Sequence, residues 1–229
     1  MSEGRCIAIV GAESTGKTTL AAALAERLRQ ARAGRVAWVP EVLREWCDAT
    51  GRTPLAHEQG AILRAQHERI AEAAATHDWV VCDTTALMTA VYSTLVFGDE
   101  SLQQRAAELH ARTAAATLLT ALDLPWVADG HQRDGPQVRE PVDALLRALM
   151  QRHRIGYSVV AGSGERRVEQ ALDALRPLRA APPAAPLRGL FTGLANGRSA
   201  RARWACECCV PEAEQALLRA RSDSLRRPS

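Results

Sequence analysis

The stretch "GAESTGKT" (residues 11–18) contains the only lysine among the 29 basic residues of this 229-residue chain. It matches the pattern G-x-x-x-x-G-K-[ST], a glycine-rich loop whose backbone N–H groups surround nucleotide phosphates. The apolar run "CIAIV" precedes the loop, and the alanine- and leucine-rich run "TTLAAALAERLRQAR" follows it. These flanks predict a buried strand and a helix, which is the structural context that the loop requires. The sequence therefore predicts a binding site for a nucleoside triphosphate.

The residue types within the loop predict how ATP and Mg²⁺ would be held. An ammonium group is a compact point charge that reaches between two phosphates, where the wide guanidinium of arginine would fit poorly. We therefore assign a catalytic role to Lys17. The Thr18 hydroxyl is predicted to bind Mg²⁺. The residues predicted to bind the nucleotide are Gly11, Glu13, Ser14, Thr15, Gly16, Lys17, Thr18 and Thr19.

Composition and charge narrow the class of protein. Residues 188–229 contain eight arginines and four acidic residues, whereas residues 1–187 contain 21 basic and 22 acidic residues. A nearly neutral body argues against nucleic acid as the main partner. No signal peptide is visible and no apolar run approaches the roughly 18 residues of a membrane helix, so we expect no membrane association and a cytoplasmic location. Cys6 and Cys82 fall in predicted buried strands, which is typical of reduced thiols.

Apolar segments alternate with helical ones along the chain. Strands are predicted over residues 6–11, 35–41, 79–85, 114–122 and 157–162, although the alanines of 114–122 leave a helix as the alternative. Helices are predicted over 17–33, through Trp46, over 55–77, 86–96 and 100–113, and on both sides of the last strand. Continuous apolar strands between helices predict an α/β fold with a parallel sheet flanked by helices. Together with the phosphate loop, this is the P-loop NTPase class, in a nucleoside-monophosphate-kinase-like form with a lid segment.

The chain is predicted to contain one folded domain and a tail. The P-loop domain covers residues 1–178, a proline- and alanine-rich linker covers 179–187, and a basic, partly disordered tail covers 188–229. Cys206, Cys208 and Cys209 are too few for a closed zinc site, which needs four ligands. The segment "PEAEQALLRAR" suits a short helix. The tail is a candidate for binding a protein partner or for self-association.

Two absences favour a kinase over other nucleotide-binding enzymes. The guanine-reading motif N-K-x-D of GTP-binding switches needs a second lysine, and the chain has none. Many motor ATPases end a strand in Asp-Glu, with the glutamate activating water, but here Thr84 follows Asp83. In a kinase, by contrast, the attacking oxygen belongs to a substrate and water is excluded.

Carboxylates and arginines occur where a kinase needs them. Glu41 and Arg44 lie in "PEVLREW" (40–46) after the second strand, three residues apart on one helical face. Glu41 is predicted to be the general base, with Arg44 orienting it or meeting the phosphoryl group; a solvated ion pair is the alternative. Asp83 ends the third strand and is predicted to hold Mg²⁺ or substrate hydroxyls, with a helix N-cap as the alternative.

The segment "PWVADGHQRDGPQVRE" (125–140) interrupts the alternation of strands and helices. Its glycines and prolines, together with Arg133 and Arg139, are typical of a lid that closes over a phosphoryl-transfer site. We predict catalytic roles for both arginines, with an ordinary surface loop as the alternative.

On these residues the chain resembles the ribosylnicotinamide kinase domain of NadR-type proteins. The resemblance runs over about residues 5–175 and rests on "GAESTGKTTL", "PEVLREW", Gln66, "DTTALMTAVYSTLVFG" and "PWVADGHQRD". It implies transfer of the ATP γ-phosphate to the 5′-hydroxyl of nicotinamide riboside. Trp46, Tyr92 and Trp126 are aromatic residues of these segments that could line the cleft or belong to the core, and core is favoured for Trp46 and Tyr92. The residues predicted to contact the substrate are Glu41, Gln66, Asp83, Trp126 and Asp129.

Two alternatives remain open at this point. One is a P-loop kinase of another nucleoside or small hydroxyl metabolite. The other is a nucleotide-binding regulatory ATPase module whose tail communicates with a partner.

Overall fold

A computed structural model describes residues 4–127 and 135–179, and all its elements belong to one unit of the chain, Met1–Ala181. Five strands form one parallel sheet: β1 (Arg5–Val10), β2 (Val36–Val39), β3 (Trp79–Asp83), β4 (Ala114–Thr120) and β5 (Ser158–Val160). Their order in the sheet is β2-β3-β1-β4-β5. The predicted linker, the tail with its three cysteines, and the predicted site residues Asp129 and Arg133 lie outside the described residues.

Eight helices accompany the sheet in the part of the chain that the structure describes. They are α1 (Lys17–Gln30), α2 (Val42–Thr50), α3 (Gln59–Thr76), α4 (Ala86–Phe97), α5 (Gln103–Thr113), α6 (Arg139–Arg152), α7 (Gly164–Ala174) and α8 (Arg176–Arg179). Short 3-10 turns at Ala56–Glu58 and Pro136–Val138 lead into α3 and α6. No helix of the described residues is long and apolar enough to cross a membrane.

The central strand β1 contributes buried side chains to both faces of the sheet, because successive side chains along a strand point to opposite faces. Ile7 and Ile9 face a cluster formed with α1 and α7. Val10 belongs to a second cluster built from α4, α5 and α6, and Cys6 to a third that includes Ile70 of α3. Helices on both faces explain why the strands are continuous apolar runs, and the predicted α/β fold with a parallel sheet is confirmed.

The element bounds differ from prediction in ways that local chemistry explains. The second strand ends at Val39 rather than at residue 41, since Pro40 cannot donate a ladder hydrogen bond and Glu41 already occupies the N-cap position of α2. The predicted helix over 55–77 begins only at Gln59, after the 3-10 turn, where the Glu58 carboxylate accepts from the Leu55 N–H at 2.7 Å. Residues 114–120 form a strand, not a helix, because they lie between β1 and β5.

The strand order brings the predicted site residues to one edge of the sheet. The phosphate loop follows β1, Glu41 follows β2, and Asp83 ends β3, which pairs with β1 so that Asp83 lies beside Ile9. The chain proceeds to opposite sides of β1 when it forms β3 and β4, which makes this a topological switch point. Ligands of open parallel sheets bind at such points, beyond the carboxyl ends of the strands.

Candidate active site

The phosphate loop has a conformation that its glycines make accessible. Gly11 has φ = 150°, and a Cβ there would lie 2.1 Å from the Thr120 hydroxyl oxygen. Gly16 has φ = 74° and forms the N-cap of α1. The Thr15 hydroxyl lies 2.7 Å from the Ala12 carbonyl oxygen and 2.7 Å from the Thr120 hydroxyl. The loop is therefore fixed against β4, with the N-terminus of α1 directed at the position that phosphates occupy.

Lys17 lies at the base of this loop and is buried. Its Nζ donates to the carbonyl oxygen of Ala12 at 2.9 Å. Burial lowers the pKa of Lys17, and the carboxylates of Glu41, Asp83 and Glu13 act in the opposite direction. A desolvated ammonium surrounded by carboxylates is suited to accept a phosphate as an additional anionic partner.

Asp83 is almost completely buried, with 1% of its surface exposed. Its carboxylate accepts a hydrogen bond from Thr18, while its Oδ1 atom has no hydrogen-bond partner among the described residues. Burial raises the pKa of Asp83, against the influence of Thr18, Lys17 and Arg44. A carboxylate and a hydroxyl side by side, with a buried oxygen still unsatisfied, fit the oxygen ligands that Mg²⁺ prefers.

The residue after Asp83 is strained. Thr84 has φ = 71°, a left-handed conformation that β-branched residues rarely adopt. Its backbone N–H donates to the Ile9 carbonyl at 3.0 Å, and its side chain is buried. Strained backbone of this kind concentrates at functional sites, and here it sets the exit of the chain from β3.

A cleft of about 280 Å³ opens beside the phosphate loop. Its charged lining consists of Glu13, Lys17, Glu41 and Arg44, which brings together the predicted nucleotide-binding and proton-accepting residues. The lining also includes apolar and aromatic side chains from the segment before α3 and from α4, namely Pro54, Leu55, Tyr92, Val96 and Phe97. The cleft can thus hold a molecule that combines a reactive hydroxyl with a flat or apolar group.

Tyr92 and Gln59 are two further residues that line this cleft. Tyr92, for which the sequence left core and cleft open, packs against the cluster of α4–α6 and also lines the cleft, and burial raises its pKa. Gln59 lines the cleft with 3% of its surface exposed, and its Oε1 lacks a hydrogen-bond partner in the described structure. No sequence motif contains Gln59, and its place in the cleft follows from the packing of α3 against α4.

Three other predicted site residues do not line the cleft. Gln66 is buried in α3 and its amide contacts the backbone of residues 40 and 42. Trp126 is half-buried, and its Nε1 has no hydrogen-bond partner in the described regions. Arg139 begins α6 with 9% exposure, and its Nε and Nη2 likewise find no partner there. Their predicted roles in catalysis or substrate contact stay predictions.

Arg167 of α7 joins the phosphate loop to the ends of β4 and β5. Its guanidinium is 4% exposed and donates to the Thr15 carbonyl at 2.9 Å and to the Gly162 carbonyl at 2.5 Å. It also pairs with the Asp123 carboxylate at 3.0 Å, which in turn accepts from the Gly162 N–H. No role is predicted for Arg167 from the sequence, because nothing in its local sequence distinguishes it from the other arginines.

Comparisons with known proteins agree with this geometry. The model of an AAA domain family matches residues 6–167, so the chain belongs to this family of P-loop proteins. No curated protein sequence matches the chain. Among solved structures, the chain resembles the NadR protein in complex with NAD and AMP-PNP, with a TM-score of 0.60 and 18% identity over 76% of this chain and 49% of that one.

Two further structures are similar. The NadR protein in complex with NR has a TM-score of 0.60 and 19% identity, over 76% of this chain and 51% of that chain. Thymidylate kinase from Ehrlichia chaffeensis has a TM-score of 0.55 and 15% identity, over 77% of this chain and 100% of that chain. The chain spans about half the length of the NadR chains that it matches. At these identities the likeness establishes the fold, and the predicted P-loop kinase fold and the NadR-type resemblance are confirmed at that level.

Proposed function

We propose that this protein is an ATP-dependent kinase that phosphorylates the 5′-hydroxyl of nicotinamide riboside and produces the mononucleotide. The observation that carries the proposal is the cleft beside the phosphate loop. Its lining combines the charged side chains of Glu41, Arg44 and Lys17 with the aromatic rings of Tyr92 and Phe97. The structural likeness to NadR chains bound to AMP-PNP and to NR supports the same assignment.

The residues present account for each part of phosphoryl transfer. The loop N–H groups and Lys17 hold the phosphates of ATP, and Glu41 accepts the proton of the acceptor hydroxyl. The acceptor oxygen then bonds to the γ-phosphorus while the bond to the β–γ bridging oxygen breaks and ADP leaves. Arg44, with Arg133 and Arg139 of the predicted lid, would neutralise charge on the moving group. Mg²⁺, held by Thr18 and Asp83, would supply charge neutralisation at the β- and γ-phosphates.

The charge of the acceptor is consistent with this cleft. The nicotinamide ring of the riboside is a cation, which is attracted by the face of an aromatic ring and by carboxylates. Tyr92 and Phe97 provide aromatic surface, and Glu13 and Glu41 provide negative charge in the same cleft.

The decisive experiment is Mg²⁺-ATP turnover with nicotinamide riboside and with a panel of ordinary ribonucleosides, with products identified by mass. We expect preferential formation of nicotinamide mononucleotide. Glu41→Gln should lower acceptor-dependent turnover about 10²–10⁴-fold, the usual contribution of a general base, and spare ATP binding. Glu45→Gln is the matched control, because Glu45 lies on the same helix but is exposed and pairs with Arg69. Equal losses in the two variants would contradict the role of Glu41.

A second candidate is a kinase of another nucleoside. The lining of the cleft includes the apolar side chains of Leu55, Val96 and Phe97, which would suit a neutral base. Phosphorylation of another member of the panel would retain Glu41 and Lys17 in their roles and replace the acceptor. Turnover independent of every acceptor would instead favour a regulatory ATPase module.

A further inference from the structure

Gln66 makes two hydrogen bonds that bracket one residue of the site. Its Oε1 accepts from the backbone N–H of Val42 at 2.7 Å, and its Nε2 donates to the carbonyl oxygen of Pro40 at 3.3 Å. The residue between these two contacts is Glu41. Gln66 is 2% exposed and lies in α3, a different element from the segment that it holds.

The bond to Val42 satisfies a backbone N–H at the start of α2. Val42 is the first residue of that helix, and its N–H, like the other N–H groups of a first turn, has no partner within the helix. An N-cap side chain accepts from the second or third residue of a helix, so it leaves the N–H of the first residue without a partner. In the described structure the Glu41 side chain makes no capping bond and lines the cleft. The Gln66 amide oxygen, from a different element, satisfies the Val42 N–H.

We infer that Gln66 is a positioning residue that fixes the backbone around Glu41 and thereby directs its carboxylate into the cleft. This inference rests on the proposed function, in which Glu41 receives the proton of the acceptor. Both ends of the amide are needed, because the oxygen fixes the helix start and the nitrogen fixes the strand end. A catalytic group acts only within a narrow range of positions. A shift of about 1 Å lowers the rate of the catalysed reaction about 10²-fold.

Gln59 provides a matched control on the same helix. Gln59 and Gln66 are seven residues apart and thus share one face of α3, and both are almost fully buried. Gln59, however, lines the cleft, whereas the amide of Gln66 contacts the backbone of Pro40 and Val42. The same substitution at the two positions therefore separates contact with the acceptor from positioning of the base.

The first test is Gln66→Met against Gln59→Met, with steady-state kinetics for the acceptor and direct binding of an ATP analogue. Gln66→Met should lower kcat about 10- to 100-fold, with the KM for the acceptor and nucleotide affinity within about threefold of the native chain. Gln59→Met should mainly raise the KM for the acceptor. A Gln66→Met enzyme with native kcat, or with a raised KM alone, overturns the inference.

The second test is Gln66→Glu, which has a distinctive pH profile. A carboxyl group buried at this position stays protonated well above its usual range, and in that form it presents a carbonyl to Val42 and an O–H to Pro40, as the amide does. When it ionises, it loses the donor and faces the Pro40 carbonyl with a charge. The kcat of the variant relative to the native chain should therefore rise as pH falls from about 8 to about 5.5. A ratio that does not change with pH overturns the inference.

Amide hydrogen exchange of Val42 tests the contact without any turnover. Its N–H should exchange faster in Gln66→Met and at the native rate in Gln59→Met. Unchanged protection in Gln66→Met overturns the inference, even if the variant folds poorly elsewhere. Failure of the proposed function would be seen separately, as an absence of acceptor-dependent turnover in the native chain. In that case the exchange rates alone would show whether Gln66 fixes the backbone on either side of Glu41.

Discussion

Lys17 combines burial with a hydrogen bond to its own loop. Its Nζ bonds to the Ala12 carbonyl, and burial lowers its pKa. An ammonium has three donors, so it can keep this contact and still present hydrogen bonds to phosphate oxygens. The broader guanidinium would need more room than a buried position beneath the loop provides, which gives a physical reason for the one lysine in a chain that otherwise uses arginine.

Replacing the Asp83 carboxylate by a neutral amide should raise the stability of the fold and lower its activity. Burial raises its pKa, so the folded chain binds this proton more tightly than the unfolded chain, and stability is lost as pH rises through the range in which the group ionises. At pH 7 the ionised carboxylate therefore opposes folding. Asp83→Asn should raise the melting temperature at pH 7 and lower kcat about 10²-fold or more, since the ligand proposed for Mg²⁺ is lost.

Thermal unfolding at pH 7 and at pH 4 checks this prediction. The stabilisation should be smaller at pH 4, where the native carboxyl is more fully protonated and resembles the amide. Asp48→Asn is a suitable control, because Asp48 is an exposed acidic residue at the other end of α2. A lower melting temperature for Asp83→Asn at pH 7 would mean that its interactions with Thr18 and Lys17 outweigh the cost of burial.

At the scale of elements, the phosphate loop is supported from behind by α7. Arg167 donates a hydrogen bond to the Thr15 carbonyl and so restrains this peptide of the loop. Asp123, in the segment after β4, fixes the guanidinium through a 3.0 Å ion pair. The strand ends, the loop and α7 therefore form one hydrogen-bonded unit, although Arg167 and Thr15 are 152 residues apart in sequence.

Arg167→Met should weaken nucleotide binding more than it slows chemistry. Losing a buried hydrogen bond from a charged donor costs about 1.5–3 kcal/mol, which corresponds to an increase in the Kd for ATP of about tenfold or more if the loop carries the cost. Fluorescence titration with an ATP analogue measures this Kd. Arg166→Met is the matched control, since Arg166 is the exposed neighbour on the same helix. An unchanged Kd in Arg167→Met would show that the loop keeps its shape without this support.

At the scale of the whole molecule, the sequence was sufficient for the fold class and for the edge of the sheet at which Glu41 and Asp83 lie. Apolar runs between helices predict a parallel sheet whatever the order of its strands, and both carboxylates stand at or just after the end of such a run. The contacts of Gln66 and Arg167 were not predictable, since they join residues 24 and 152 positions apart. For Tyr92 the sequence left core and cleft open, and the structure shows both, because Tyr92 packs against the core cluster and also lines the cleft.

The buried side chain of His110 makes the stability of the folded chain depend on pH. Its ring is 2% exposed, with Nδ1 2.9 Å from the Thr85 hydroxyl and Nε2 2.8 Å from the Thr117 hydroxyl, so it joins α5 to β4 and to the start of α4. Burial lowers the pKa of His110 to about 4. The folded pKa lies below the unfolded value of about 6.5, so the folded chain excludes this proton, and the contribution to stability is present above about pH 6.5 and is lost as pH falls toward 4.

His110→Gln should reduce the acid sensitivity of the fold. Between pH 6.5 and pH 4 the free energy of unfolding of the native chain should fall by about 3 kcal/mol more than that of the variant, an order-of-magnitude value for one depressed histidine. Urea unfolding at several pH values measures the difference, and carboxylates that titrate in this range cancel because both proteins contain them. His67→Gln should have a smaller effect in the same direction, since burial and the nearby Arg112 and Arg105 lower the pKa of a histidine that is only partly buried. Parallel pH profiles for the native chain and His110→Gln would mean that the buried imidazole is protonated in the fold, with the two threonine hydroxyls both accepting from it.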